Sequence, residues 1–335
     1  MNKPVALAAA SVAILALAGC SSPANGAGGG EGGKPQVIAS TNVYADIAAT
    51  IGGDRVDVTA LIDSATKDPH SYEASARDRL TMQGADLVIE NGGGYDSFVE
   101  DLREGSDAAV VTAVEFSHDF PGAEGHTDGH TEGHAEDAHA EEEHEAHAEG
   151  EHGHEGHDHI EGFNEHVWFD VHTMTHVVEQ IAAELAELDP QGKADFTANA
   201  EELNAELEAL EAELDSLHGQ YEATPVFMTE PLPGYLAAAA GLEDATTEGF
   251  AEAVEEGNDV APATLLAALT LVESGDVAVV LTNAQTGGSE TERVEAAAEK
   301  AGVPVVGFTE LLQADQSYAE WMRAAISDLA DALQQ

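Results

Sequence analysis

The sequence predicts an α/β fold of two lobes with mainly parallel sheets, joined by one long helix. Short apolar segments alternate with segments whose apolar residues recur at helical spacing, a pattern typical of βαβ units. This alternation occurs in residues 36–188 and again in residues 223–335, and an amphipathic segment, residues 189–222, lies between the two arrays. Two lobes joined in this way leave a cleft, which is the usual place for a ligand.

The first array contains three clear strand patterns, "PQVIAST", "VDVTALI" and "ADLVIENGG". The segment "VYADIAATIGG" predicts a helix that ends at Gly52 and Gly53. A loop that enters a further helix is predicted for "DPHSYEASARDRLTMQG", and either Ser75 or the pair Asp68 and Pro69 marks the start of that helix.

The segment between the arrays carries leucines at steps of four and three, which places them on one face of a helix. They are Leu203, Leu207, Leu210, Leu214 and Leu217. A coiled-coil dimer is one interpretation of this stripe, but three heptads between two α/β regions favour a connector within one chain, so we expect a monomer. The second array then has the strand patterns "TPVFMTE", "VAVVLTN" and "GVPVVGFTE", separated by helical segments.

The first 20 residues have the pattern of a bacterial lipoprotein signal. Lys3 precedes the apolar run "VALAAASVAILALA", and "LAGC" resembles a lipobox that ends at Cys20. We expect Cys20 to carry lipid and residues 21–35 to form a Gly-rich tether, so the protein is extracytoplasmic and anchored to the cell membrane. Cys20 is the sole cysteine of the chain, which leaves none for a disulfide.

The charge balance is strongly acidic, with 65 Asp and Glu residues against 11 Lys and Arg residues and a formal net charge of −54. Phosphate backbones are bound by clusters of Lys and Arg, so we expect no nucleic-acid partner. The electric field of this negative charge attracts cations. Solubility or salt tolerance of the whole surface is an equally good explanation of the charge.

Residues 122–162 predict a disordered loop, because repeating Gly, His, Glu and Ala cannot bury a core. This His-rich tract holds ten histidines: His126, His130, His134, His139, His144, His147, His152, His154, His157 and His159. Imidazole prefers Zn²⁺, Cu²⁺ or Ni²⁺ over Mn²⁺. Ordering a flexible chain around an ion costs entropy, so we expect weak, accessory metal sites in the tract. A solvated insertion with incidental affinity is the alternative.

Enzyme motifs are absent from the sequence, which contains no H-E-x-x-H, no G-x-x-x-x-G-K-[ST] and no G-x-S-x-G. We therefore expect no catalysis, with a metal-dependent hydrolase as the alternative. His172 and His176 stand one helical turn apart and could clamp a metal, but no third ligand is apparent nearby in the sequence, which favours a plain helix face. Asp170 is a candidate to orient a ligand histidine.

Three features fall at the ends of predicted strands, where open α/β sheets place ligands. His70 follows "VTALI", His166 lies in "FNEHVWFD", and Glu230 follows "VFMT". The segments "DPHSYEASARDRLTMQGADLVIENGG", "NEHVWFD" and "VFMTEPLPGYLAAAAGL" resemble the metal-binding solute receptors of bacterial ATP-binding-cassette importers for zinc and manganese, the cluster A-I type. The resemblance runs in order from about Gln36 to Trp321.

The resemblance implies one metal ion held between the lobes, with His70 and His166 matching the first two histidine ligands of the family. The third ligand is usually His in zinc receptors and Glu in manganese receptors, and Glu230 occupies this position. For the fourth, the segment "VVLTNAQTGGSETER" offers Asn283 or Gln285, with water completing the shell. Glu290 is a more distant candidate.

Two imidazoles and one carboxylate accept either Zn²⁺ or Mn²⁺. The His-rich tract shifts the expectation to Zn²⁺, both by its own chemistry and because zinc receptors of this type often carry such a loop. Mn²⁺ is the alternative ion. The resemblance implies delivery of the metal to a membrane permease and its ATPase, and a surface metal buffer or adhesin acting through the tract is the alternative function.

Overall fold

The computed structural model describes residues 33–64, 67, 69–70, 72–121, 160, 162–313 and 316–335. Within them, Lys34–Gln335 forms one compact unit. The predicted signal, Cys20, nearly all of the tether and the ten tract histidines lie outside the described residues. Each helix in the described part lacks the length or the apolar character needed to cross a membrane.

The N-terminal lobe is built on a four-stranded parallel sheet in the order β2-β1-β3-β4. Its strands are β1 (Gln36–Thr41), β2 (Asp57–Ile62), β3 (Leu87–Glu90) and β4 (Ala109–Thr112). Its helices are α1 (Asn42–Gly52), α2 (Ala76–Met82), α3 (Phe98–Arg103) and α4 (Val171–Leu188). On β1, Val37 packs into the main core and Ile38 into a second core formed with α2 and α3. Helices therefore cover both faces of the sheet, as in other parallel sheets.

The connecting helix α5 (Lys193–Tyr221) runs for 29 residues between the two lobes. All five leucines of the predicted stripe are buried, in the same core cluster as Val37 of β1 and Val226 of the second sheet. The leucine stripe is thus buried within the chain, as the connector interpretation predicts.

The C-terminal lobe repeats the same strand order, β6-β5-β7-β8, again all parallel. Its strands are β5 (Thr224–Met228), β6 (Leu242–Asp244), β7 (Val279–Asn283) and β8 (Val305–Phe308). Its helices are α6 (Gly234–Ala239), α7 (Ala251–Glu255), α8 (Pro262–Ser274), α9 (Ser289–Ala301) and α10 (Tyr318–Leu333). The two-lobed α/β fold is confirmed. The sequence did not predict β6 or α7, because three and five residues are too few to show a period.

The C-terminal end of the predicted loop is part of the fold. Ile160 packs against the main core, and its carbonyl oxygen accepts a hydrogen bond from the Phe163 N–H at 3.0 Å. Phe120 stacks on Phe163 at 5.4 Å between ring centroids. The segments that flank the His-rich tract are thereby fixed beside each other.

Candidate metal centre

His70 lies in the loop between β2 and α2, as the sequence predicted. Ser75 caps α2, and the Asp78 carboxylate accepts hydrogen bonds from the Ser75 N–H at 2.7 Å and the Tyr72 hydroxyl at 2.9 Å. The start signal at Ser75 is therefore confirmed, and the cap fixes the C-terminal side of this loop. The His70 ring meets the Tyr95 ring edge to face at 4.8 Å between centroids.

His166 immediately precedes a 3₁₀ turn, Val167–Phe169, and is 1% exposed. Its Nδ1 lies 2.7 Å from Oδ1 of Asn164. Because this amide oxygen can only accept, Nδ1 carries the proton and Nε2 is left for a ligand. The sequence pointed to Asp170 for this orienting role. Asp170 instead caps α4, where it accepts from the Thr173 N–H at 3.3 Å, so Asn164 is the residue that holds the His166 ring.

Three carboxylates of the C-terminal lobe face these histidines. Glu230 follows β5, Glu310 follows β8, and Glu255 ends α7. Glu255 Oε1 lies 3.5 Å from His166 Nε2, and Glu310 Oε2 lies 3.9 Å from His70 Nε2. Two ligands of a tetrahedral Zn²⁺ ion with bonds of about 2.0–2.2 Å lie roughly 3.3–3.6 Å apart. The pair of His166 and Glu255 already has that spacing.

One network holds two of the carboxylates in place. The Asn283 side-chain amide, at the end of β7, donates to Glu230 at 2.7 Å and to Glu310 at 2.7 Å. The Thr286 hydroxyl also donates to Glu230, at 2.8 Å, and the Tyr95 hydroxyl donates to Glu310 at 3.0 Å. Donors therefore reach both oxygens of each carboxylate and fix its direction.

Asn283 and Gln285, the predicted fourth ligands, lie beside the site with their amide oxygens engaged elsewhere. The Asn283 oxygen accepts from the Gln285 N–H at 3.0 Å, and the Gln285 oxygen accepts from the N–H groups of Glu310 and Leu311 at 2.5 and 2.9 Å. Both side chains hold the loops that carry the acidic residues. Glu290 is among the residues that line the cavity of the cleft.

A cavity of about 240 Å³ lies between His70 of the N-terminal lobe and the carboxylates of the C-terminal lobe. His70, Glu230, Glu255 and Glu310 are among its lining residues. Candidate ligand atoms of His70, His166 and Glu255 all lie within 4.8 Å of one another. The predicted His70, His166 and Glu230 are thus brought together, and Glu255 and Glu310 join them.

The electrostatics of the site favour a cation. Burial, and then the nearby charges of Glu165, Glu230 and Glu310, raise the pKa of Glu255 to about 9. Burial also raises the pKa of Glu230, against the hydrogen bonds from Thr286 and Asn283 that lower it. A divalent ion among these carboxylates would offset the cost of burying them as charged groups.

A signal for Glu310 exists in the sequence, since it follows the strand pattern "VPVVGF" as Glu230 follows "VFM". Glu255 had no such signal. It lies in "FAEAVEEG", where three glutamates share one short acidic segment and nothing in the pattern singles one of them out.

Comparison with known proteins agrees with this architecture. The family model described as ZnuA, zinc-uptake complex component A, periplasmic, matches residues 37–332. The chain belongs to this ZnuA family. The match covers both lobes and every residue of the metal centre.

Curated relatives of this ZnuA-family chain carry the names of two metals. The manganese-binding lipoprotein MntA of Bacillus subtilis is 29% identical over 206 residues, which is 60% of this chain and 55% of the relative. The zinc-binding protein AdcA of Streptococcus pyogenes is 27% identical over 168 residues, which is 50% of this chain and 30% of the relative. The alignments therefore span about half of one relative and under a third of the other.

Solved structures share the ZnuA-family fold. The periplasmic zinc-binding protein TroA of Treponema pallidum matches with a TM-score of 0.67 at 19% identity, over 90% of this chain and 99% of that chain. FpvC of Pseudomonas aeruginosa in complex with Mn²⁺ matches with a TM-score of 0.66 at 21% identity, over 90% of this chain and 99% of that chain. At such identities the likeness establishes the two-lobed fold.

Proposed function

We propose that this protein captures one divalent metal ion, Zn²⁺ in preference to Mn²⁺, between its lobes and delivers it to the permease and ATPase of an importer. The observation that carries the proposal is the meeting of two imidazoles from one lobe with three buried carboxylates from the other. Glu310 Oε2 lies 3.9 Å from His70 Nε2, and the Asn283 amide holds Glu310 and Glu230 beside each other. Membership of the ZnuA family supports the transport role.

The proposed ligands are His70, His166, Glu230 and Glu310, and Glu255 approaches the same ion from α7. Asn283 and Gln285 position the acidic loops in this scheme. Asn283 connects Glu230 to Glu310 through its amide, so one side chain sets the separation of two ligands. No step of bond making or breaking is needed, because the metal is cargo.

Two features of the chain bear on which ion it binds, and they favour different ions. Imidazoles and carboxylates together accept both Zn²⁺ and Mn²⁺, and three carboxylates favour Mn²⁺ more than the single one predicted from the sequence. The ten tract histidines favour Zn²⁺, since imidazole-rich segments bind Mn²⁺ weakly. Zn²⁺ is therefore the proposed cargo, and a manganese receptor is the second candidate, favoured by the carboxylate count.

A competitive titration of Zn²⁺ against Mn²⁺ tests this proposal. The full chain is compared with a variant that lacks residues 122–159, a deletion that spares Ile160 and Phe163 because they pack into the fold. We expect one tight Zn²⁺ site in both proteins and its loss in His166→Ala. His118→Ala, which removes a 74% exposed histidine side chain, is the matched control and should keep the site.

Other outcomes separate the alternatives. If the deletion removes all tight binding, the cleft assignment is wrong and the surface buffer acting through the tract is favoured. Tighter binding of Mn²⁺ than of Zn²⁺ in both proteins would favour the manganese receptor.

We also propose attachment to the cell membrane through lipid on Cys20. The lipobox pattern supports this, and the relative from Bacillus subtilis is named a lipoprotein. Replacement Cys20→Ala should move the protein from the membrane fraction to the medium. If the wild-type protein is recovered from the soluble fraction, it is not anchored in this way.

A further inference from the structure

A second pair of histidines lies outside the cleft, on the first two turns of α4. His172 and His176 have ring centroids 5.2 Å apart, and their side chains are 69% and 30% exposed. Their i, i+4 spacing in "HTMTH" equals that of the two metal ligands in H-E-x-x-H helices. The second position is Thr173 here, so the hydrolytic base of that motif is missing. A pair alone makes a weak site, and the sequence offered no third ligand.

The fold places a carboxylate from another helix beside His172. Glu211 of α5 lies across from α4, and its Oε1 is 3.4 Å from Nδ1 of His172. That distance matches the separation of two ligands bound to one tetrahedral Zn²⁺ ion, roughly 3.3–3.6 Å. Glu179, one turn beyond His176 on α4, brings a second carboxylate to 3.8 Å from Nδ1 of His176.

The two helices are held in register at this point. The Asn204 side chain on α5 donates to the backbone oxygen of Thr175 at 3.3 Å, next to His176 in the chain. Met174 on α4 and Leu210 on α5, the neighbours of Thr175 and Glu211, are both fully buried. The histidines and Glu211 therefore project from a packed frame, and little backbone entropy is lost when an ion binds.

We propose that His172, His176 and Glu211 form a surface site for one Zn²⁺-like ion, with water as the remaining ligand. Glu179 is the alternative carboxylate for the same ion. Two imidazoles select borderline ions such as Zn²⁺, Ni²⁺ or Cu²⁺ and disfavour Mn²⁺. The chain's net charge of −54 raises the local concentration of cations around such a surface site. The proposal does not depend on the cleft, because it shares no residue with it.

Residue-resolved footprinting of histidine with diethyl pyrocarbonate tests the site in the full chain. Modification of each histidine is read by peptide mass spectrometry, so the tract and the cleft do not obscure the result. We expect excess Zn²⁺ to protect His172 and His176 together, and equal Mn²⁺ to leave them reactive. His118 is the internal control, because its side chain is 74% exposed and lies beside the Asp119 carboxylate.

The variant Glu211→Gln keeps the size of the side chain and removes its charge. Loss of a ligand should raise the Zn²⁺ concentration needed for half-protection of His172 and His176 by about tenfold or more. Protection of His70 and His166 should stay unchanged, which also reports that the variant is folded. The proposal is overturned if Zn²⁺ protects His172 and His176 no more than His118, or if Glu211→Gln leaves their protection curve unaltered.

Discussion

The two lobes share one strand order yet bring opposite chemistry to the cleft. The N-terminal lobe offers imidazole rings, His70 and His166, packed against Tyr95. The C-terminal lobe offers carboxylates, and Asn283 connects two of them, Glu230 and Glu310. Neither lobe alone brings both kinds of side chain to the cleft, so the proposed metal site forms only where the two sheets with the same topology face each other.

This difference between the imidazole side and the carboxylate side of the cleft also affects the stability of the metal-free protein. The imidazoles pack against aromatic rings, whereas buried carboxylates that carry charge repel each other. The two lobes are nonetheless joined by direct hydrogen bonds. Asn42 donates to the Leu312 backbone oxygen at 3.0 Å, and the Tyr318 hydroxyl donates to the Trp168 backbone oxygen at 2.7 Å. The acidic side of the cleft is therefore kept close to the imidazole side before an ion arrives.

Single replacements on the two sides of the cleft should both weaken Zn²⁺ binding but should shift the melting temperature of the metal-free protein in opposite directions. His166→Ala and Glu310→Gln should each weaken Zn²⁺ binding by about two to three orders of magnitude, because each removes one ligand of a site worth roughly 10–16 kcal/mol. Without metal, His166→Ala should lower the melting temperature by leaving a cavity, while Glu310→Gln should raise it by removing a buried charge.

Competitive titration and melting curves in EDTA measure these two effects. Glu256→Gln, on an exposed neighbour of Glu255, is the control for a mere change in net charge. Equal melting shifts of the same sign for both site variants would show that the lobes do not differ as argued.

Asn283→Leu should act on the acidic side alone. It removes two hydrogen bonds to buried carboxylates, so the metal-free protein should lose about 2–3 kcal/mol of unfolding free energy. Thr286→Val removes the hydroxyl that bonds to Glu230 only and should cost about half as much. Denaturant unfolding in EDTA measures both. A larger loss in Thr286→Val than in Asn283→Leu would contradict the assignment of Asn283 as the central support.

Sequence predicted the fold better than the site. Strand and helix periods were strong enough to give two βα arrays and the leucine face of α5. His70, His166 and Glu230 were predicted because each stands beside a strand or in a motif of the resemblance, and the structure places all three at the cleft. Asn283 and Gln285 were placed near the site, but a sequence cannot tell whether an amide oxygen faces an ion or a backbone N–H. Glu255 was missed because α7 is one short turn of an acidic segment.

Glu255 Oε1 lies 3.5 Å from His166 Nε2, so its replacement tests whether a third carboxylate contacts the ion. Glu255→Ala should reduce Zn²⁺ affinity by about tenfold, less than loss of a primary ligand, because four other donors remain. The matched control is Glu256→Ala, on the exposed side of the same turn. Titration of both variants decides the point. If the two behave alike, Glu255 does not contact the ion.

Glu90 gives the smallest effect and tests whether a buried carboxylate of the N-terminal lobe behaves differently from those of the cleft. It ends β3, accepts from the Thr112 hydroxyl at 2.9 Å and lies 3.5 Å from Arg103. Burial, and then the nearby charge of Asp96, raise the pKa of Glu90 from 4.5 to about 7. The folded protein thus keeps a proton between these pH values that the unfolded chain has lost.

The contribution of the Glu90 proton to the free energy of unfolding is fully present below pH 4.5 and is lost as the pH rises through 7. Glu90→Gln cannot lose a proton, so its unfolding free energy relative to the wild type should increase by about 1–3 kcal/mol between roughly pH 5 and pH 8. Denaturant unfolding at several pH values in EDTA measures the difference, with Glu104→Gln, at an exposed residue that ends α3, as the control. Zn²⁺ affinity should be unchanged, because Glu90 is not among the residues that line the cleft cavity. A difference that is flat across this pH range would mean that Glu90 is charged in the fold and that Arg103 alone neutralises it.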